Sequence, residues 1–243
     1  MNDGSGGGAR RRLGACVPAV LALLIAGCGL ASSGPTVAPT VQPTAAPQVP
    51  PPVAIVKQTL VAAGDVPGAS VGQPPTSGSE SALVSDGLVP TPCVKTSGIT
   101  AGTRTAVGTA VSQPLAAAAK AVTEAVILET NAADTATDIG QATAGARACP
   151  AHDEDAKGRF GDQSVTTSSV TVGAWTGTRT ASLDTFSTGV KQVASYVYLL
   201  SLSGGLMVLQ LGVAFANVAP AALYQQQADA LATKLAERLG ALS

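Results

Sequence analysis

The chain has 243 residues, of which 12% are charged and 3% aromatic, with a formal net charge of −1. Beyond Cys28, eleven basic side chains stand against fourteen acidic ones and form no basic face, which disfavours nucleic-acid binding. One histidine and four cysteines leave few of the usual parts for metal-dependent or acid–base chemistry, so neither a metal nor a cofactor is expected.

Arg10-Arg11-Arg12 precede a short apolar run that closes on Leu24-Ile25-Ala26-Gly27-Cys28. A basic start, an apolar core of about 12 residues and an aliphatic-small-small-Cys site together read as a lipoprotein signal peptide over residues 1–27. Cys28 is then the lipidation site, diacylated on its thiol, and it holds the mature chain on the extracytoplasmic face of the cell membrane. A transmembrane helix is the poorer reading, because spanning needs ~20 apolar residues and Pro18 interrupts this run. A plain secretory signal cut before Cys28 is the closer rival. The export route, general secretory or twin-arginine, stays open.

Gly29 to Pro52 carries no charge and is built of small residues and proline. With Cys28 it forms a tether over residues 28–52, disordered and reaching at most ~75 Å at ~3.1 Å per residue. Residues 53–243 are long enough for one domain of ordinary size. Cys16 leaves with the signal, and an oxidising compartment points to a Cys93–Cys149 disulfide. Two cysteines 56 positions apart match no zinc spacing.

Along the domain, Val53–Ala63 reads as a short helix with Ile55, Val56, Leu60 and Val61 on its apolar face. Residues 69–105 are turn-rich, placing Cys93 on a loop or short strand. Thr103–Val111 and Val122–Glu129 read as strands, with Leu115–Ala121 helical by propensity between them. Asn131 caps a helix running to Cys149, with Ala132, Ala136, Ala142 and Ala146 as a small packing face and Asp134 and Asp138 near its positive end. Residues 164–180 alternate as strands and hold Trp175, the one tryptophan.

The strongest β signal follows. Ala194–Ser203 and Leu206–Ala216 flank Gly204-Gly205, a two-residue hairpin turn. Pairing about it opposes Leu202 with Met207, Leu200 with Leu209, Tyr198 with Leu211 and Tyr196 with Val213, all on one buried face. Ser201, Ser203 and Gln210 then fall on the other. Pro220–Leu242 is an amphipathic helix with Ala228, Leu231, Leu235, Leu239 and Leu242 as its stripe, suited to covering a sheet.

Two motifs invite chemistry. Gly68-Ala69-Ser70-Val71-Gly72 matches the G-x-S-x-G nucleophile elbow, which needs a strand before the serine and a helix after it; Val66-Pro67 and Gln73-Pro74-Pro75 flank it instead. Asp153, Asp155 and Gly158 fit a calcium loop, but Lys157 and Ser164 stand where acidic ligands belong. His152 beside Asp153 and Glu154 converges on no single point. Catalysis therefore lacks its parts, and the protein reads as no enzyme.

The layout, carried by Leu60–Gly68 (LVAAGDVPG), Leu88–Cys93 (LVPTPC), Val126–Cys149 and the Tyr196–Phe215 hairpin, resembles the extracellular sensor domain of actinobacterial PknH-type Ser/Thr receptor kinases. It also resembles mycobacterial-type lipoproteins carrying that domain. The resemblance implies an α+β fold, an antiparallel sheet with helices packed on one face, and a cleft for an extracellular ligand. It departs from the family in having one domain cysteine pair where two are usual, and Ala146-Arg147-Ala148 where an aromatic usually precedes the helix-end cysteine. The function expected is a membrane-anchored lipoprotein with a ligand-binding, sensor-like domain. Its ligand is unknown, with Trp175 the candidate contact residue in a cleft between the polar side of the sheet and the loops around it. The alternatives are an envelope interaction or adhesive protein without a pocket, whose partner would be another envelope protein, and an envelope hydrolase resting on Ser70.

Overall fold

A computed structural model describes residues 48–90, 104–113, 120–148, 162–185, 192–216 and 221–242. The signal segment, Cys28, most of the tether, Cys93, Cys149 and the His152–Gly158 stretch lie outside them. So does Leu115–Ala119; Lys120 and Ala121, expected in a helix, belong instead to a strand.

Seven strands form one antiparallel sheet: β1 (Ser70–Ser79), β2 (Thr105–Ser112), β3 (Lys120–Leu128), β4 (Asp162–Val172), β5 (Trp175–Thr185), β6 (Gln192–Leu202) and β7 (Met207–Ala216). Their order is β1-β2-β3-β7-β6-β5-β4. Four helices, α1 (Val53–Thr59), α2 (Glu80–Ser85), α3 (Ala132–Arg147) and α4 (Ala221–Gly240), complete the α+β fold. The chain leaves the centre of the sheet after β3, and the β4–β7 meander brings β7 back against β3.

The β6–β7 register is the one the alternation predicts: Tyr196 opposes Val213, Tyr198 opposes Leu211 and Leu200 opposes Leu209. These six side chains, with Met207, are buried together. The tip differs in detail. The strands end at Leu202 and Met207, and the Gly205 amide donates to the Leu202 carbonyl at 3.1 Å. Gly204 sits at φ +72°, a backbone region open to glycine and strained for most other residues.

Both faces of the sheet carry helices. α1 and α4 cover the face bearing Val107, Val126, Leu200 and Leu209, and the α4 stripe of Ala228, Leu231, Leu235 and Leu239 is buried there as its spacing predicts. The expectation of helices on one face holds only for this pair. α2 packs on the opposite face, where Leu83, Leu88, Ala106, Ala125, Ile127 and Val208 form a second core. α3 lies on that face as well: Ile139 packs against this second core, and Thr167 of β4 donates to the Ala146 carbonyl at 2.9 Å.

Asn131 does cap α3, its Oδ1 accepting from the Asp134 amide at 2.9 Å. The buried face is Thr135, Ala142 and Ala146, while Ala136 is exposed, so the helix is rotated from the all-alanine face. α1 stops at Thr59, four residues early, because the chain turns extended at Leu60 and the Val61 amide is taken by the Glu124 carboxylate. Ile55 consequently points outward, while Val56, Leu60 and Val61 are buried.

Two glycines separate packing from propensity. A Cβ at Gly177 would collide with the Leu199 carbonyl of β6, whereas one at Gly140 on α3 meets nothing within 4 Å. Gly140→Ala should therefore stabilise the domain by roughly 0.5–1 kcal/mol. Gly177→Ala should cost roughly 3 kcal/mol or more, both read from urea unfolding midpoints.

Candidate functional site

Three arginines hold the helices in place. At the head of β2, Arg104 forks onto Glu80 Oε2 of α2 through Nε at 3.0 Å and Nη2 at 2.6 Å, and its Nη1 reaches Glu129 Oε1 at 2.7 Å. The same guanidinium pairs with Asp138 of α3. Arg179 of β5 binds both oxygens of Asp229 on α4 at 3.0 and 3.1 Å, and the buried Tyr198 hydroxyl donates to the same carboxylate at 2.6 Å. Burial, then that acceptor, pushes the Tyr198 phenol well above its ordinary range. Arg238 near the end of α4 grips both oxygens of Asp65 and donates to the Thr59 and Leu60 carbonyls, while Lys234 meets Asp65 at 2.9 Å. Arg238 on Asp65 is the two-nitrogen, two-oxygen fork that suits guanidinium to carboxylate, whereas Arg104 sets two nitrogens on one oxygen and Arg179 one nitrogen on two.

Glu124 is different. It projects from β3 into the apolar core face, fully buried, with one oxygen accepting from the Val61 amide and Oε1 without a hydrogen-bond partner among the described residues. Burial pushes its carboxyl up to about 8, against the weaker pull of the Val61 amide and Arg238. Asp65 moves the other way: burial raises it, but Arg238, the Ala62 amide and Lys234 hold it well below the usual carboxylate range.

An open apolar pocket of about 150 Å³ lies at the tip of the β6–β7 hairpin. Gln48, Val49 and Pro51 form one wall, Gly205, Leu206 and Met207 the tip, and Leu242 closes it beyond the end of α4. The tip is anchored, since the Leu206 carbonyl accepts from the Glu129 amide at 2.9 Å and Leu206 and Met207 are buried. Val49 is left 81% exposed, an apolar lip on the opening. An apolar space of about this volume has room for a benzene-sized group. The pocket's mouth opens to solvent, and its lining is mostly apolar.

Trp175 does not line a cleft on the polar side of the sheet. It is 1% exposed on the core face, opposite Leu202, with Gly240 of α4 close to its indole nitrogen. It thus lies at the same end of the fold as the pocket, as core. Ser70 opens β1, exposed, with its hydroxyl 3.5 Å from the Ser112 carbonyl. Neither a strand before it nor a helix directly after it makes an elbow. Ser164, the calcium loop's last position, lies on β4. Among the described residues no three metal-ligating side chains gather, and no helix is long and apolar enough to cross a membrane.

No family model matches this sequence, and no curated protein matches it. Among solved structures the chain is similar to the crystal structure of the extracellular domain of PknH from Mycobacterium tuberculosis. The two are 13% identical, with a TM-score of 0.46, over 79% of this chain and 98% of that one.

The pocket residues were hard to find by pattern, because they come from three distant segments, and Gln48–Pro51 reads as tether. Glu124 did carry a signal, as the single acid inside the apolar alternation of Val122–Leu128.

The two displaced carboxyls give stability opposite slopes. Glu124 binds its proton more tightly folded than unfolded, so its contribution is full below the ordinary value of 4.5 and lost as pH rises to about 8. Asp65 contributes above its ordinary value of 3.8, and that stability is lost as pH falls below it. Thermal melts across pH should show Glu124→Gln flattening the decline between pH 5 and 8, and Asp65→Asn flattening the acid limb.

Proposed function

We propose that this protein is a membrane-anchored lipoprotein whose extracytoplasmic α+β domain binds a ligand without catalysing a reaction. The observation that carries the binding reading is the apolar pocket at the hairpin tip, lined by Val49, Pro51, Leu206, Met207 and Leu242. Its anchored floor and exposed lip suit a site that is formed before the ligand arrives. The volume admits one apolar group or a short hydrocarbon segment, so the rest of a larger ligand would lie outside. The lipobox ending at Cys28 supports the address, and the short chargeless tether supports a domain held near the membrane. The ion pairs of Arg104, Arg179 and Arg238 are spent on holding helices, and Ser70 has no elbow, which favours binding over chemistry.

Two measurements test this. Val49→Asp changes an exposed side chain, so folding stability should stay within about 0.5 kcal/mol, while uptake of an environment-sensitive apolar dye by the pocket should fall at least several-fold. Equal dye uptake by both proteins would remove the pocket from the account. For the anchor, Cys28→Ala should abolish incorporation of radioactive palmitate in cells, and undiminished labelling would rule lipidation at Cys28 out.

A further inference from the structure

An open sheet has two edges, and each presents backbone N–H and C=O groups able to template another strand. Here the edges are β1 and β4, and they are defended very differently. β1 carries Pro74 and Pro75, which remove two amides, and its register against β2 shifts between Val71 and Gln73 and again between Gln73 and Thr76. Proline and bulges are how natural edges are blunted.

β4 has none of these devices. It pairs with β5 in unbroken register along its whole length, from Asp162 opposite Thr185 to Val172 opposite Trp175. Ser164 to Val172 is serine, threonine and valine throughout, with no proline, glycine or charge. Ser164, Thr166, Ser169 and Thr171 are exposed. The neighbouring elements bind its faces: Thr167 donates to the Ala146 carbonyl of α3, Arg147 reaches Ser169 at 3.5 Å, and Arg179 of β5 reaches Ser168 at 3.3 Å. Among the described residues no strand pairs with its outer side.

We propose that β4 is a self-association edge, at which two copies of the chain pair β4 to β4, antiparallel about a two-fold axis, into one continuous sheet. The composition selects a second copy as the occupant. Two-fold pairing sets each residue against another of the same strand, so a charged strand would place like charges opposite or near one another. The uncharged Ser164–Val172 run avoids that, and threonine and serine form favourable cross-strand pairs with their own kind. An axis perpendicular to the sheet also keeps α4 of both copies on one face and α3 of both on the other.

Sedimentation equilibrium of the full chain in density-matched detergent tests this, beside Thr166→Lys/Ser169→Lys. Those positions are exposed, so the melting temperature at concentrations where both proteins are monomeric should not change, while dimerisation should weaken ~10-fold or more as like charges meet across the axis. Hydrogen exchange on the unmodified chain gives a readout independent of any variant: raising the protein concentration should slow exchange at alternate amides of β4 and at none of β1. A chain monomeric at every concentration, a dimer the lysines leave intact, or concentration-dependent protection on β1 would each overturn the proposal. So would a monomer that instead captures an unrelated extended peptide along β4.

Discussion

The constraint on which this structure depends is the register between β6 and β7. Tyr196, Tyr198 and Leu200 meet Val213, Leu211 and Leu209 on the face beneath α1 and α4, and the residues between them face α2 and α3. A slip of one residue would send each set to the opposite side. Because both faces are covered, neither side would accept the exchange: the tyrosines would press on the small residues of α3, and Ser195, Ser201 and Gln210 would enter the main core. Gly204 in its left-handed conformation sets the turn that fixes this pairing. The same strand β7 then receives β3, with Val126 opposite Leu209, and closes the sheet between segments far apart in sequence.

Around that apolar frame the charges divide into two kinds. Arg104, Arg179 and Arg238 are each answered by carboxylates from another element, so the cost of partial burial is offset where a helix must be held at one angle. Glu124 is answered by a single backbone amide inside the core. That contact meets the chain just past the end of α1, beside the Arg238 bonds to the Thr59 and Leu60 carbonyls and to Asp65.

What could be read from the sequence follows the strength of local pattern. The hairpin register was legible because every second residue is apolar from Tyr196 to Leu202 and again from Met207 to Phe215, about the Gly204-Gly205 turn. Asn131 announced α3, and the leucine spacing of 231, 235 and 239 announced α4. β1 was not legible: as an exposed edge holding Gly72, Pro74 and Pro75 it lacks both alternation and strand propensity. α2 is six residues long and owes its burial to Glu80 and Leu83, a signal that tertiary contact supplies. Trp175 falls in the strand-like run of residues 164–180, but a lone aromatic among serines and threonines does not say which face is buried, and the structure puts it in the core. The pocket had no contiguous pattern at all.

The proposed binding function rests on the pocket where Val49, the hairpin tip and Leu242 meet. Native mass spectrometry of the protein purified from its own cells tests the claim most directly. The account predicts an apolar molecule retained by the natural chain and lost from Val49→Asp; a clean ligand-less mass for the natural chain, or an adduct that Val49→Asp keeps in full, would contradict it.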